Sequence, residues 1–101
     1  MARKVVWTEP ALNDLDAIAD YIALDKPFAA RFLIQGVFKK VESLSTFSRL
    51  GAVPRELKNL PYRQLSISPC RIFYRIQAGT IYIVAVIRGE RRLVKSLLNR
   101  Q

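Results

Sequence analysis

Apolar residues recur along the chain first at strand, then at helical, then again at strand spacing. Lys4 to Trp7 is a short β-prone run that stops where Thr8 can cap a helix and Pro10 can occupy its first turn. Leu12, Leu15, Ile18, Ala19 and Ile22 then share one helical face, while Asp14, Asp16 and Asp20 point elsewhere, onto a solvated side. The punctuation repeats at Asp25, Lys26 and Pro27. It resets the chain into a second helix with Ala30, Leu33, Ile34, Val37, Val41 and Leu44 facing inward. Two helices so closely spaced predict an antiparallel hairpin.

Helical periodicity lapses from Thr46 to Leu60, where Ser48, Gly51 and Pro54 break the pattern and predict a surface connection. Alternation with a period of two follows. Tyr62 to Ile67 puts Arg63, Leu65 and Ile67 on one face. Cys70 to Ile76 sets Cys70, Ile72, Tyr74 and Ile76 opposite Arg71, Phe73 and Arg75. Gln77 to Thr80 reads as a hairpin loop, and Ile81 to Ile87 is apolar on both faces, which predicts a central strand. The basic segment Arg88, Gly89, Glu90, Arg91, Arg92 leaves the sheet, and Leu93 to Leu98 predicts a terminal turn or short helix.

Composition narrows what such a chain can be. At 101 residues, 50% apolar and 25% charged, it predicts one ordered domain over residues 1–101. Cys70 has no second cysteine to pair with, which suits a reducing compartment and removes cysteine-rich metal sites. Arg3 and Lys4 are followed by Glu9, Pro10, Asn13 and Asp14 rather than an apolar leader, and no run reaches membrane-spanning length. These features predict a cytoplasmic protein.

Charge adds direction. The net charge is +9, and residues 51–101 carry ten Lys/Arg against two Asp/Glu, whereas residues 1–50 carry seven against six. A basic C-terminal half seeks phosphates or an acidic protein surface. Catalytic equipment is sparse by comparison. The chain has no histidine, no phosphate-binding glycine loop, no nucleophile elbow and no carboxylates at metal-ligand spacing. No catalytic residue, metal or cofactor is therefore assigned. Arg71, Arg75, Arg88, Arg91 and Arg92 can bind or stabilise charge but stay protonated, so they cannot act as a base. Arg71 and Arg75 beside Phe73 suit a cationic groove, and equally a face whose arginine stems cover apolar surface. Tyr62, Tyr74, Tyr82, Trp7 and Cys70 read first as packing residues.

Two stretches carry a resemblance. "VVWTEPALNDLDAIADYIALDKPFAARFL" and "VPRELKNLPYRQLSISPCRIFYRIQAGTIYIVAVIRGERR" look like the signature regions of the RelE/ParE toxin superfamily. The specific parts are the W-[TS]-x-x-A-x-x-D-L opening, the "ADYIA" helix, the R-x-L strand, the "RIFYRI" strand and the "IVAVIRGERR" ending, in that order. The resemblance implies an α+β fold in which an N-terminal strand and an antiparallel helical hairpin pack on an antiparallel sheet. It also implies a partner antitoxin that wraps the toxin, at positions the sequence leaves unassigned.

Members of this superfamily differ in target. RelE-like toxins cut messenger RNA on the ribosome, commonly with a tyrosine or histidine near the C-terminus, whereas ParE-like toxins poison DNA gyrase. Arg71 falls where the ribonucleases place a phosphate-binding arginine. Tyr62 and Gln64, however, stand where they favour lysines, and Leu93, Val94 and Lys95 follow Arg92 without a tyrosine or histidine. The resemblance thus favours the ParE branch, with Arg71, Arg75, Arg88, Arg91 and Arg92 as candidate contacts to gyrase or its DNA. The alternatives are a ribosome-dependent endoribonuclease using Arg71, Arg75 and Tyr62 or Tyr74, and a non-toxic interaction module.

Overall fold

A computed structural model describes residues 2–100. Strand β1 (Lys4–Trp7) leads into helices α1 (Glu9–Ala23) and α2 (Pro27–Glu42). Strands β2 (Tyr62–Ile67), β3 (Cys70–Gln77) and β4 (Thr80–Arg88) follow, and a short 3-10 turn, Lys95–Asn99, ends the chain. The Thr8 hydroxyl caps α1 by accepting from the Ala11 amide at 3.4 Å, and it donates to the Ile83 carbonyl at 2.7 Å, tying the helix start to the sheet.

The expected α+β arrangement is present, with a hairpin of α1 and α2 laid on the sheet. Strand order is β1-β4-β3-β2. The three later strands form the expected antiparallel meander, and β1 joins β4 in parallel, so the whole sheet is mixed. The parallel pairing follows from topology, because the helical hairpin lies between β1 and the meander and returns the chain to the end of the sheet where it began. β4 is internal, as its apolar run implies. Ala78 (φ 51°) and Gly79 (φ 79°) turn the β3–β4 hairpin through the left-handed region that such tight loops require.

One irregularity in β4 decides which residues face which core. Tyr74 pairs with Ile83 and Phe73 with Ala85, leaving Val84 without a counterpart. This bulge turns consecutive residues to the same side. Ile81, Ile83 and Val86 pack toward the helices with Ala11, Leu15, Leu33, Val37, Val41, Ile72 and Tyr74. Val84, Ala85 and Ile87 pack on the other side with Leu57, Phe73, Leu93 and Leu98. The two-sided burial of β4 therefore reflects two cores, the second closed by the 46–60 connection and the C-terminal turn. That connection is more than a surface loop, since Gly51, Pro54 and Leu57 are buried. On α1, Ala11 rather than Leu12 is fully buried, and Ile34 of α2 is only half-buried.

Candidate functional site

The five candidate arginines do not form one patch. Arg71 and Arg75 stand on β3, on the sheet face away from the helices, where their neighbour Phe73 is completely buried. The Arg71 guanidinium lies over the Phe73 ring at 5.0 Å, and that of Arg75 over the Tyr82 ring at 4.8 Å. Of the two arrangements open to this face, the structure has arginine stems covering apolar surface rather than an open groove with an exposed aromatic. Arg88 ends β4 opposite Cys70 and turns toward the helices, with its guanidinium 5.8 Å from the Tyr21 ring. Arg91 and Arg92 follow in an exposed turn closed by the Arg91 amide donating to the Arg88 carbonyl at 2.9 Å.

Their electrostatic states differ as well. Arg71 donates to both carboxylate oxygens of Glu56 at 3.0 and 3.1 Å and, through Nε and Nη2, to Oε1 of Gln64 at 3.2 and 2.7 Å. This pairing holds the Glu56 carboxyl below its ordinary pKa, and it commits Nη1 and Nη2 of Arg71 to a protein carboxylate. Arg75 Nε donates to Gln77 Oε1 at 3.1 Å. Arg88 Nε donates to Glu90 Oε1 at 2.8 Å; a backbone hydrogen bond, and after it this bond from Arg88, lowers the Glu90 pKa, while the Nη1 atom of Arg88 is buried with no partner among the described residues. No carboxylate among the described residues pairs with Arg91 or Arg92.

Three groupings escape a reading of sequence alone. Asp14, assigned to a solvated face with Asp16 and Asp20, instead accepts from the Val86 amide and from Arg100, so only Asp16 and Asp20 are the open acidic side chains expected. Glu56 and Gln64 hold Arg71 from elements that sequence spacing does not bring together. A row of large apolar side chains, Tyr21, Leu24, Phe28 and Phe32, is exposed at the turn end of the helical hairpin. The i,i+4 spacing of Phe28 and Phe32, off the buried stripe of α2, was the available signal for that row.

The tyrosines that could serve strand-cleavage chemistry are mostly occupied. Tyr74 is fully buried; its hydroxyl donates to the Ser48 carbonyl and accepts from the Gly51 amide, both at 2.9 Å, and burial pushes its pKa up. The Tyr62 hydroxyl donates to Oδ1 of Asn99 at 3.5 Å. Tyr82 lies under Arg75.

The sequence pattern and the fold converge with known proteins at this point. The model of the family described as the ParE toxin of the type II toxin–antitoxin system parDE matches residues 5–93. The chain belongs to this ParE toxin family. Toxin RelE2 of Caulobacter vibrioides is 32% identical over 89 residues, covering 87% of this chain and 97% of the relative. Among solved structures, the chromosomal ParDE toxin–antitoxin system from P. aeruginosa superposes with a TM-score of 0.74 at 27% identity, covering 88% of this toxin and 98% of that chain. The E. coli toxin RelE, in a mutant form in the free state, shares the fold at a TM-score of 0.68 and 16% identity, covering 99% and 97%. The Mycobacterium tuberculosis complex RelBE2 does so at 0.58 and 21%, covering 87% and 99%. The chain is thus a type II toxin of the ParE/RelE superfamily, and no described helix is long and apolar enough to cross a membrane.

Proposed function

We propose that this toxin inhibits DNA gyrase in the cytoplasm, stalling its complex with cleaved DNA and so blocking replication, and that a cognate antitoxin neutralises it. The observation that carries gyrase inhibition over RNA cleavage is a surface rich in cations and poor in proton-transfer groups. Attack by a ribose 2′-hydroxyl needs a base, an acid and charge stabilisation. The chain has no histidine, its arginines stay protonated, and Tyr74 is sealed inside the fold. What remains can bind and steer rather than cut.

In this reading Arg91 and Arg92, exposed and without carboxylate partners, make the principal contacts to the acidic target or its DNA. Arg88 extends that surface on the helix side, and Arg71 and Arg75 flank it on the opposite sheet face. The antitoxin follows from family membership and from the toxin–antitoxin complexes among the similar structures. Charge reversal, Arg91→Glu with Arg92→Glu, tests the assignment. Inhibition of gyrase supercoiling is expected to disappear in a variant that still unfolds at the native temperature, and undiminished inhibition would refute it.

Ribosome-dependent message cleavage is the second reading, and the observation favouring it is the β3 face, where Arg71 and Arg75 stand near Tyr62 and Tyr82. Its expected signature is cleavage only of ribosome-bound message.

A further inference from the structure

The 46–60 connection runs along the outer edge of β2 and forms a cavity there. At its middle, Ala52 and Gln64 exchange backbone hydrogen bonds of 3.0 and 2.8 Å. Beyond this bridge the chain leaves the strand and returns at Leu60 and Pro61 to begin β2, and a cavity of about 240 Å³ lies between these segments. Tyr74 forms part of its wall, and the Tyr74 hydroxyl fixes the loop by donating to the Ser48 carbonyl and accepting from the Gly51 amide. Arg63 adds a further tie, with Nη1 donating to the Gly51 carbonyl at 2.6 Å and to the Arg49 carbonyl at 3.4 Å. The walls are thus held in place before any ligand arrives.

Arg49, Arg63 and Arg75 line this cavity, and no carboxylate among the described residues does. The hollow around Arg71 contains Glu56, and those along α1 contain Asp14 or Asp25, so each of them has an internal counter-charge that this cavity lacks. Arg63 spends Nη1 on neutral carbonyls, and neither Arg49 nor Arg63 pairs with a carboxylate among the described residues. The rim is apolar: Val53 and Leu60 are 49% and 38% exposed, beside Pro61. A ligand that suits both parts carries concentrated negative charge next to an apolar face. Phosphate oxygens can engage two guanidinium groups at once, whereas a single carboxylate leaves clustered cations undercompensated.

We infer that this cavity binds one nucleotide unit of an unpaired nucleic-acid strand, its phosphate on Arg49 and Arg63 and its base against Val53, Leu60 and Pro61. The cations hold the backbone and the apolar rim accepts any base, a division that binds a strand without reading its sequence. The site is separate from the basic turn that follows β4. Arg75 lies five residues along β3 from Cys70, the partner of Arg88, so the two are about 17 Å apart along the sheet. The inference rests on the gyrase reading above only for the origin of the strand, which cleaved DNA on the target would supply.

The test is fluorescence anisotropy of a labelled oligothymidylate of about twelve nucleotides, titrated with the purified toxin in the absence of gyrase. Arg49→Gln and Leu60→Glu alter exposed side chains that make no hydrogen bond or ion pair among the described residues, so both variants should melt at the native temperature. Lys4→Gln removes an exposed cation from β1, at the opposite edge of the sheet, about 14 Å away and beyond the screening length. Arg49→Gln and Leu60→Glu are each expected to bind the strand roughly tenfold more weakly, and Arg49→Gln to reduce the slope of log affinity against log salt by about 0.7. Lys4→Gln should stay within about twofold of native. Thymidine monophosphate should displace the strand at lower concentration than inorganic phosphate. Native affinity in Arg49→Gln and Leu60→Glu, or an equal loss in Lys4→Gln, would overturn the site. Inorganic phosphate that competes as well as the nucleotide would overturn the nucleotide assignment, and oligoglutamate of equal charge that displaces the strand as well would assign the cavity to an acidic protein segment instead. A toxin that binds the strand through this cavity yet leaves supercoiling intact would refute the gyrase reading and uphold the site.

Discussion

Arg100 forks onto the carboxylate of Asp14 across 86 residues of chain, with Nη1 donating to Oδ1 at 2.9 Å and Nη2 to Oδ2 at 2.6 Å. The pair sits where β1 has ended. β1 covers β4 only from Thr80 to Ile83, so the edge beyond it has no strand partner. Asp14 Oδ2 accepts from the Val86 amide at 3.0 Å, and Arg100 Nη2 donates to the Val84 carbonyl at 3.3 Å. Two side chains thus stand in for a missing strand beside the bulge, and they fasten the C-terminal turn to α1.

The two halves of this pair are predicted to be unequal. Asp14→Ala leaves the Val86 amide without its acceptor and Arg100 without its carboxylate partner, and is expected to cost about 1–3 kcal/mol in a urea melt. Arg100→Ala leaves Asp14 still bonded to Val86 and is expected to cost less, about 1 kcal/mol or below. Equal losses would show that the backbone contact is unimportant.

Tyr74 and Gly51 give a second prediction. A Cβ at Gly51 would come within 2.6 Å of the Gln64 carbonyl oxygen and 2.7 Å of the Tyr74 hydroxyl, so Gly51→Ala is expected to destabilise by about 1–3 kcal/mol. Gly36, inside α2, has nothing within 4 Å of a Cβ, and Gly36→Ala is expected to stabilise by about 0.5–1 kcal/mol. Thermal melts of the two variants should move in opposite directions.

Alkaline titration tests the burial of Tyr74. Its raised pKa means that the folded state resists ionisation. The associated stability is full below the ordinary tyrosine pKa and is lost as pH rises from there toward the folded value. Absorbance titration should therefore show one late-ionising tyrosine that disappears in Tyr74→Phe. Simultaneous ionisation of every tyrosine in the folded protein would contradict the burial.

Acid acts on Glu56. Its folded pKa is lowered by Arg71, so the pair's contribution is present above the ordinary glutamate pKa and is lost as pH falls through the folded value. Glu56 is 42% exposed, which limits the contribution to about 1 kcal/mol or less. Glu56→Gln should lower stability slightly at neutral pH and match the native chain in strong acid. A variant deficit that persists undiminished in acid would exclude the ion pair as its cause.

Much of this fold was legible because local rules and tertiary packing agree. Thr8 and Pro10 start α1, Asp25 to Pro27 separate the helices, and Ala78 with Gly79 turns a hairpin between two alternating runs. The parallel placement of β1 was not legible, because no local pattern says which strand a terminal segment will join. The Val84 bulge was hidden for a related reason: with Val84, Ala85, Val86 and Ile87 all apolar, a shift of one residue leaves no mark on the pattern. At the candidate site, the residue types of the arginines could be read, whereas their partners could not. Glu56 meets Arg71, and Asp14 meets Arg100, only after the chain has folded. The apolar row at Tyr21, Leu24, Phe28 and Phe32 was visible as letters, but its exposure depends on how the hairpin sits on the sheet.

Gyrase inhibition is the central claim, and purified toxin in a plasmid supercoiling reaction, run beside a ribosome-programmed messenger RNA cleavage reaction, tests it. The account predicts lost supercoiling or accumulated cleaved DNA with the message intact. Cut message with normal supercoiling would contradict it.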